Sequence, residues 1–435
     1  MIKQFRKIAH TAMAVLVIGL LSAWPGDDVF LILHAQDIGD EKLDVLVQEG
    51  IANNPQVQSY YAEWKAAEFK AKQKTRYPEP SLYFSYFGES IETRVGPQEH
   101  KYGISQTITF PGKLSLTYDS LHKDVDIKKL QFEAVKQLLI ESIKEVYYDL
   151  FWVDRALQIT ENEKLLLNNM EWVARKKYES NKTTQQDVIK VQVELSKLED
   201  RLYRLRQNRK SLISLLNTLL NRSSSDTVPR IQKIKPVVFT RTLEELKETG
   251  LRNRQDLLEA RYAIEKAESD HALSKFNYAP DITFGYDYIA IGEGTTVSPD
   301  DGNDAWMGTV RIDLPIWFRK FSAEINEKQQ IIKARQEHYV SVRNTMRYEI
   351  EDAYYKVTAA DEIVTLYTNA LIPQAEQAFE TSRTAYETGK LGFMDWLDAE
   401  RVLFNTRIAY YRAVADYHKE IARLERVVGK DLIED

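Results

Sequence analysis

The sequence contains no cysteine, which excludes a disulfide framework, a thiolate metal site, a cysteine nucleophile and an acylated N-terminal cysteine. Any membrane attachment is then expected to be non-covalent. Glycine (17) and proline (12) are scarce for 435 residues. Together they make about 7% of the chain against roughly 12% in average usage, so turns are few and long helices are expected. Beyond the first segment there is no run of 18 apolar residues, and no helix of the mature chain is expected to cross a bilayer. A basic patch is missing too: 59 Lys and Arg are interspersed with 65 Asp and Glu, for a net charge of -6, which argues against a nucleic-acid partner. No nucleophile elbow, phosphate loop or zinc signature occurs, so neither an enzyme nor a cofactor is expected. Of the seven histidines, His10 and His34 fall at the N-terminus, and His100, His122, His271, His338 and His418 show no ligand spacing.

What is present is material for a core. Hydrophobic residues make 43% of the chain, with 16 Phe, 24 Tyr and 7 Trp, so a folded protein is expected. Residues 1–35 read as an export signal. Lys3, Arg6 and Lys7 form a basic start and Ala12 to Leu21 a short apolar run, with cleavage expected after Ala23 or Ala35.

The remainder is a tandem repeat. At an offset of 200, Gly50, Asn53, Val57, Pro80, Leu82, Phe84 and Tyr86 meet Gly250, Asn253, Leu257, Pro280, Ile282, Phe284 and Tyr286. Further on, with the offset growing by a few residues, Ile108-Thr109-Phe110-Pro111 meets Ile312-Asp313-Leu314-Pro315, and Tyr147-Tyr148 meets Tyr354-Tyr355. Tyr178 to Lys182 meets Tyr386 to Lys390, and Asp187 meets Asp395. Two copies of a unit of about 180 residues follow from this match. The expected division is residues 36–221 for the first repeat, 222–240 for a Ser- and Pro-bearing linker, 241–430 for the second repeat and 431–435 for a tail.

Each copy is expected to hold a helix of roughly 35 residues, two short segments of another kind, a very long helix and a further helix. Val188, Val191, Leu195, Leu198, Leu202 and Leu205 step by 3 and 4, as do Ile143, Val146, Leu150, Val153 and Leu157. Tyr410, Val414, Tyr417, Ile421, Leu424 and Val428 do so in the second half. That spacing is the coiled-coil seam. From Lys113 to Ser180 no proline intervenes, so this helix is expected to reach about 100 Å at 1.5 Å per residue. Lys320 to Thr388 is its counterpart, with a kink expected at Pro373. Asn181 and Gly389, with Gly392 beside it, fall where the hairpins must turn, and Asn and Gly best accept the left-handed conformation that ends a helix.

Four segments have a period of two. Leu82, Phe84 and Tyr86 begin one; Tyr102, Ile104, Ile108 and Phe110 mark the second; Ile282, Phe284, Tyr286 and Tyr288 the third; Trp306, Val310, Ile312 and Leu314 the fourth. Each is expected to run about 10 to 12 residues, the length of a tilted strand crossing an outer membrane, with one apolar, aromatic-rich face. Four strands cannot close a membrane barrel, because an open edge in lipid leaves backbone groups unpaired. Several chains must share one barrel, and twelve strands from three chains leave room for a lumen where eight do not. A soluble periplasmic coiled-coil scaffold with a small capping sheet is the other reading of the same residues.

The repeat, the order of elements in each half and the motif Tyr386-Glu387-Thr388-Gly389-Lys390 followed by Asp395, Leu397 and Asp398 resemble the TolC family of outer-membrane efflux ducts. The resemblance covers nearly the whole mature chain. It implies a mainly α protein with a membrane β-barrel portion: a homotrimer whose twelve strands form a barrel in outer-membrane lipid, continuous with a barrel of helices in the periplasm. It further implies a periplasmic adaptor protein and an inner-membrane pump of the RND type as partners. In that family acids on the inner hairpin ring the narrowest point of the duct, and the matching positions here are Asp395 and Asp398. Asp187 and Tyr386 match positions that tie neighbouring hairpins in the closed state. Leu391 stands where some members place an arginine, with Lys390 the nearest base. Pro111, Gly112 and Pro315 mark the strand-to-helix junctions, whose flanking segments look most like the heavy-metal cation subgroup. Drug efflux and type I protein secretion are the alternatives within transport.

Overall fold

A computed structural model describes residues 39–295 and 299–432 of the chain. The export signal expected at residues 1–35 lies outside the described residues. The first half comprises helices α1 (Gly39–Asn53) and α2 (Pro55–Lys74), strands β1 (Ser81–Thr93) and β2 (Gly96–Ile108), and helices α3 (Lys113–Glu179) and α4 (Gln185–Leu219). The second comprises α5 (Leu243–Asn253), α6 (Gln255–Phe276), β3 (Ile282–Ile291), β4 (Ala305–Ile312), α7 (Phe318–Leu366), a π turn (Tyr367–Leu371), α8 (Ile372–Glu387) and α9 (Phe393–Val428). Between α4 and α5 the chain forms neither helix nor strand.

The 67 residues of α3 make a helix of about 100 Å. Its counterpart is interrupted by a π turn rather than by a simple kink at Pro373, which sits at the second position of α8. Proline has no N–H for the carbonyl one turn back, and the wider π turn absorbs that loss.

The single helix of roughly 35 residues expected at the start of each repeat is instead two helices, broken at equivalent positions. At the first break Asn54 turns its side-chain oxygen onto the N–H groups of Gln56 (3.0 Å) and Val57 (3.3 Å), and its amide donates to the Leu219 carbonyl at 2.9 Å. Pro55 follows at the first helical position, where its missing donor is harmless. At the second break the buried Arg254 guanidinium pairs with Asp256 and Glu349 and reaches the Val427 carbonyl. Both breaks staple the short helices to the ends of the long ones.

All four strands form one antiparallel sheet in the order β1-β2-β3-β4. Their lengths are 13, 13, 10 and 8 residues, so the fourth is shorter than expected. Phe110 and Leu314 lie past the strand ends, next to prolines that cannot donate to a ladder. The register builds a row of Phe84, Tyr102, Tyr288 and Trp306 across the full sheet, all four exposed on one face. Tyr83, Gly103, Asp287 and Met307 form the adjacent row on the other face. There the Asp287 carboxylate accepts from the Tyr83 hydroxyl and from Lys101 at 3.1 Å. Glycine is required at 103, since a Cβ there would lie 2.2 Å from the Tyr83 ring.

Among the described residues the core has two related parts. One gathers Ile143, Tyr147 and Leu150 of α3 with α1 and the end of α4, and the other gathers Met346, Ile350 and Val357 of α7 with the end of α9. A further cluster at the hairpin end joins Leu167 and Met170 of α3, Val191 and Leu198 of α4, Phe379 and Tyr386 of α8, and Trp396 and Leu397 of α9.

Candidate channel gate

The two hairpin tips turn in the same way. Asn181 has φ 54 and Gly389 φ 76. The N–H of Asn181 bonds the Tyr178 carbonyl (2.9 Å) and that of Lys182 the Lys177 carbonyl (2.8 Å), while Gly389 bonds Tyr386 (3.1 Å) and Lys390 bonds Ala385 (2.8 Å). Each is a Schellman closure, which satisfies the last carbonyls of a helix and needs a residue that tolerates positive φ. Gly392 does not turn the chain; it caps α9 with φ -75.

Just above the second tip Tyr386 is buried. Its ring stacks on Trp396 (5.0 Å between centroids) and meets Phe393 edge-on at 5.5 Å. The Lys177 ammonium lies 3.8 Å from the Tyr386 ring centre and donates to the Tyr386 carbonyl at 2.8 Å, so the base that ties the two tips together is Lys177 of α3. The side chain of Lys390 is exposed. Burial and the neighbouring Asp187 charge push the Tyr386 phenol up to about 12. Asp187 opens α4 and accepts a hydrogen bond from the Thr183 hydroxyl. The Tyr386 hydroxyl has no hydrogen-bond partner within the chain.

Asp395 and Asp398 are both exposed on the first turns of α9. They differ in what they touch. Asp395 accepts from the Gly392 N–H at 3.3 Å and so serves the helix start. Asp398 is paired with Arg401 at 2.7 Å, and Arg401 also holds Glu194 of α4 at 2.5 Å. Arg401 was legible as a base three residues after Asp398, a spacing that brings side chains together on a helix.

Behind this exposed face lies an acid that the heptad pattern hides. Glu400 occupies a core position between Leu397 and Leu403, is fully buried, and neither carboxylate oxygen has a hydrogen-bond partner. Burial first, and then the charge of Glu163, push it up to about 8. Glu163 of α3 is itself buried, accepts from Arg201 at 3.0 Å, and is pushed up to about 7 by burial. The signal was an acid in an apolar register, which is unfavourable unless it is neutral or paired.

At the far end, Gly112 caps α3 with φ 96 after Pro111. The Asp281 carboxylate accepts from the Phe110 N–H (2.8 Å) and from Lys113 (3.0 Å), which ties this junction to the start of β3. The Pro315 junction differs: Leu314, Ile316, Trp317 and Phe318 are all exposed around it. Among the described residues no group of His, Asp and Glu is placed to hold a metal ion, and no helix is long and apolar enough to cross a membrane.

Long paired helical hairpins joined to a four-stranded antiparallel sheet also build solved outer-membrane channels. The family model described as outer membrane efflux protein matches residues 247–430. The chain is 20% identical over 339 residues to the cobalt-zinc-cadmium resistance protein CzcC of Cupriavidus metallidurans, covering 78% of this chain and 79% of the relative. It is 21% identical to outer membrane protein TolC of Vibrio cholerae, covering 89% and 91%. A crystal structure of CusC, described in terms of folding and transmembrane channel formation, superposes with a TM-score of 0.76 at 16% identity over 94% of this chain and 97% of that one. The second half of the chain thus matches the outer membrane efflux protein family model, and most of its length is similar to CzcC, TolC and CusC.

Proposed function

We propose that this chain is the outer-membrane duct of a tripartite efflux system, passing metal cations delivered by an inner-membrane RND-type pump through a periplasmic adaptor. The observation that carries it is the sheet: four strands with an aromatic outer face and, within the chain, unpaired β1 and β4 edges. Such edges are tolerated in lipid only when other strands complete them, and three chains supply twelve. Three copies would continue the barrel into twelve long helices and bring six carboxylates from Asp395 and Asp398 around the axis. Cations as cargo are supported by the likeness to CzcC, whose name specifies cobalt, zinc and cadmium. The chain's own part is electrostatic, since a ring of carboxylates attracts cations and disfavours anions.

The test has two readings. Light scattering of the detergent-extracted protein, with detergent subtracted, is expected to give a mass near three chains; a single-chain mass would refute the shared barrel. In planar bilayers under a salt gradient, changing Asp395→Asn together with Asp398→Asn is expected to move the reversal potential toward zero. Asparagine keeps the cap at Gly392 while removing charge. A reversal potential that stays in place would remove these two acids from the gate.

A further inference from the structure

The two repeats differ in charge where their helices meet the sheet. Residues 69–78, the end of α2 and the turn toward β1, hold four bases and no acid. The matching residues 269–278, at the repeat offset of 200, hold one Lys and one Asp, and Lys72 and Arg76 are met there by Ala272 and Phe276. Phe276 serves packing: its ring lies 6.4 Å from that of Phe110 and against Gly112. The two bases are therefore not part of the scaffold that both repeats share.

Lys72 and Arg76 edge a groove of about 610 Å³ between α2 and α3, walled on its other side by Leu114, Tyr118, His122 and Val125. The Tyr118 and His122 rings lie 4.0 Å apart. Glu68, the acid that lines the groove, is held by Lys65 at 3.2 Å. Among the described residues neither Lys72 nor Arg76 is paired with an acid, and the Lys72 ammonium stands instead 5.4 Å from the Phe69 ring centre. Bases in the last turn of a helix complement its dipole. That alone requires neither a groove beside them nor their loss from the second repeat.

The groove is graded along its length. Leu114 is the second residue of α3 and lies nearest the sheet, while Lys72 and His122 lie farther along the helices. In the duct reading above, on which this inference rests, the strands cross the lipid, so the apolar end of the groove points to the hydrocarbon and the cationic edge lies at headgroup level. We propose that the groove binds an anionic phospholipid of the outer membrane, with Lys72 and Arg76 donating to its phosphate oxygens and Leu114 on the acyl side. Charge-assisted contacts of this kind are strong, and an amphipathic ring such as that of Tyr118 suits the boundary between hydrocarbon and water.

The test counts bound lipid. Detergent-extracted protein is mixed with phosphatidylglycerol, with phosphatidylcholine of the same acyl chains or with inorganic phosphate, and retained molecules are read by native mass spectrometry. Phosphatidylglycerol is expected to be retained in preference to phosphatidylcholine. Each base near a lipid surface is worth about a factor of five in affinity, so Lys72→Gln with Arg76→Gln is expected to weaken that retention about 25-fold. Lys70→Gln with Lys74→Gln removes the same charge from the same helix outside the groove, and is expected to leave retention near the native level. Equal losses from the two double variants, or inorganic phosphate held as tightly as the lipid, would overturn the site. Undiminished retention by the Lys72 and Arg76 variant, in a protein whose scattering mass is near three chains, would overturn the site and leave the duct intact. A single-chain mass would overturn both.

Discussion

Replacing Glu400 by glutamine is expected to abolish most of the loss of stability that the native protein suffers between about pH 5 and pH 8. Glu400 sits fully buried on α9, facing Glu163 on α3 and Glu194 and Arg201 on α4, with Arg401 on its own helix. Burial, then the Glu163 charge, raise it from 4.5 to about 8. Below pH 4.5 the acid is protonated whether the chain is folded or not, and the shift has no effect. As pH rises past that point the unfolded chain ionises while the folded chain must keep its proton. Stability therefore falls until pH passes the folded value, by about 5 kcal/mol per chain at about 1.4 kcal/mol per unit. Glu163, raised to about 7, adds a loss of the same sign. Glutamine keeps the shape and carries no charge, so Glu400→Gln should be the more stable protein at pH 9 and nearly equal to the native at pH 5. The thermal inactivation midpoint of the detergent-extracted protein, followed across this range, checks it. Parallel profiles for the two proteins would show that Glu400 is compensated by its neighbours.

Truncating Trp396 to alanine is expected to open the tip of the second hairpin. Trp396 is buried between Tyr386, at 5.0 Å, and Phe393, at 6.1 Å, and its loss removes the ring on which Tyr386 stacks. Buried Trp→Ala changes cost about 3–5 kcal/mol. Here the cost falls on the tip end of a hairpin, where Lys177 of α3 clasps Tyr386. The expected results are a higher single-channel conductance and faster cleavage by protease at residues 388–392, with the sheet unaffected. A variant that conducts as the native does, and resists protease equally, would show that the tip is held elsewhere.

The features legible in the sequence are those written in short-range periodicity. Asn181 and Gly389 were expected to end helices, and both take positive φ with the same pair of closing hydrogen bonds. The alternation around Tyr102, Tyr288 and Trp306 placed their side chains on one face, and the register confirms a continuous row. The breaks at Asn54 and Arg254 were missed for a reason that differs between the halves. Asn followed by Pro is a local stop signal that could have been read. Arg254 carries no such signal, and its break is held by Glu349 and Val427, which are distant in sequence. The π turn before Pro373 was likewise invisible, since a proline announces a disturbance without saying how the backbone will absorb it.

The candidate gate divides along the same line. The tandem repeat, the length of α3, the two-faced strands and the exposed pair Asp395 and Asp398 follow from the sequence, because each depends on residues within a turn or two of one another. Only the tertiary structure shows that Arg401 joins Asp398 to Glu194, that Lys177 rather than Lys390 clasps Tyr386, and that Glu400 is sealed inside. A heptad says that a side chain points toward a neighbouring helix. Which helix that is, and whether it brings an ion partner or a hydrocarbon wall, is decided by how the hairpins are laid against one another.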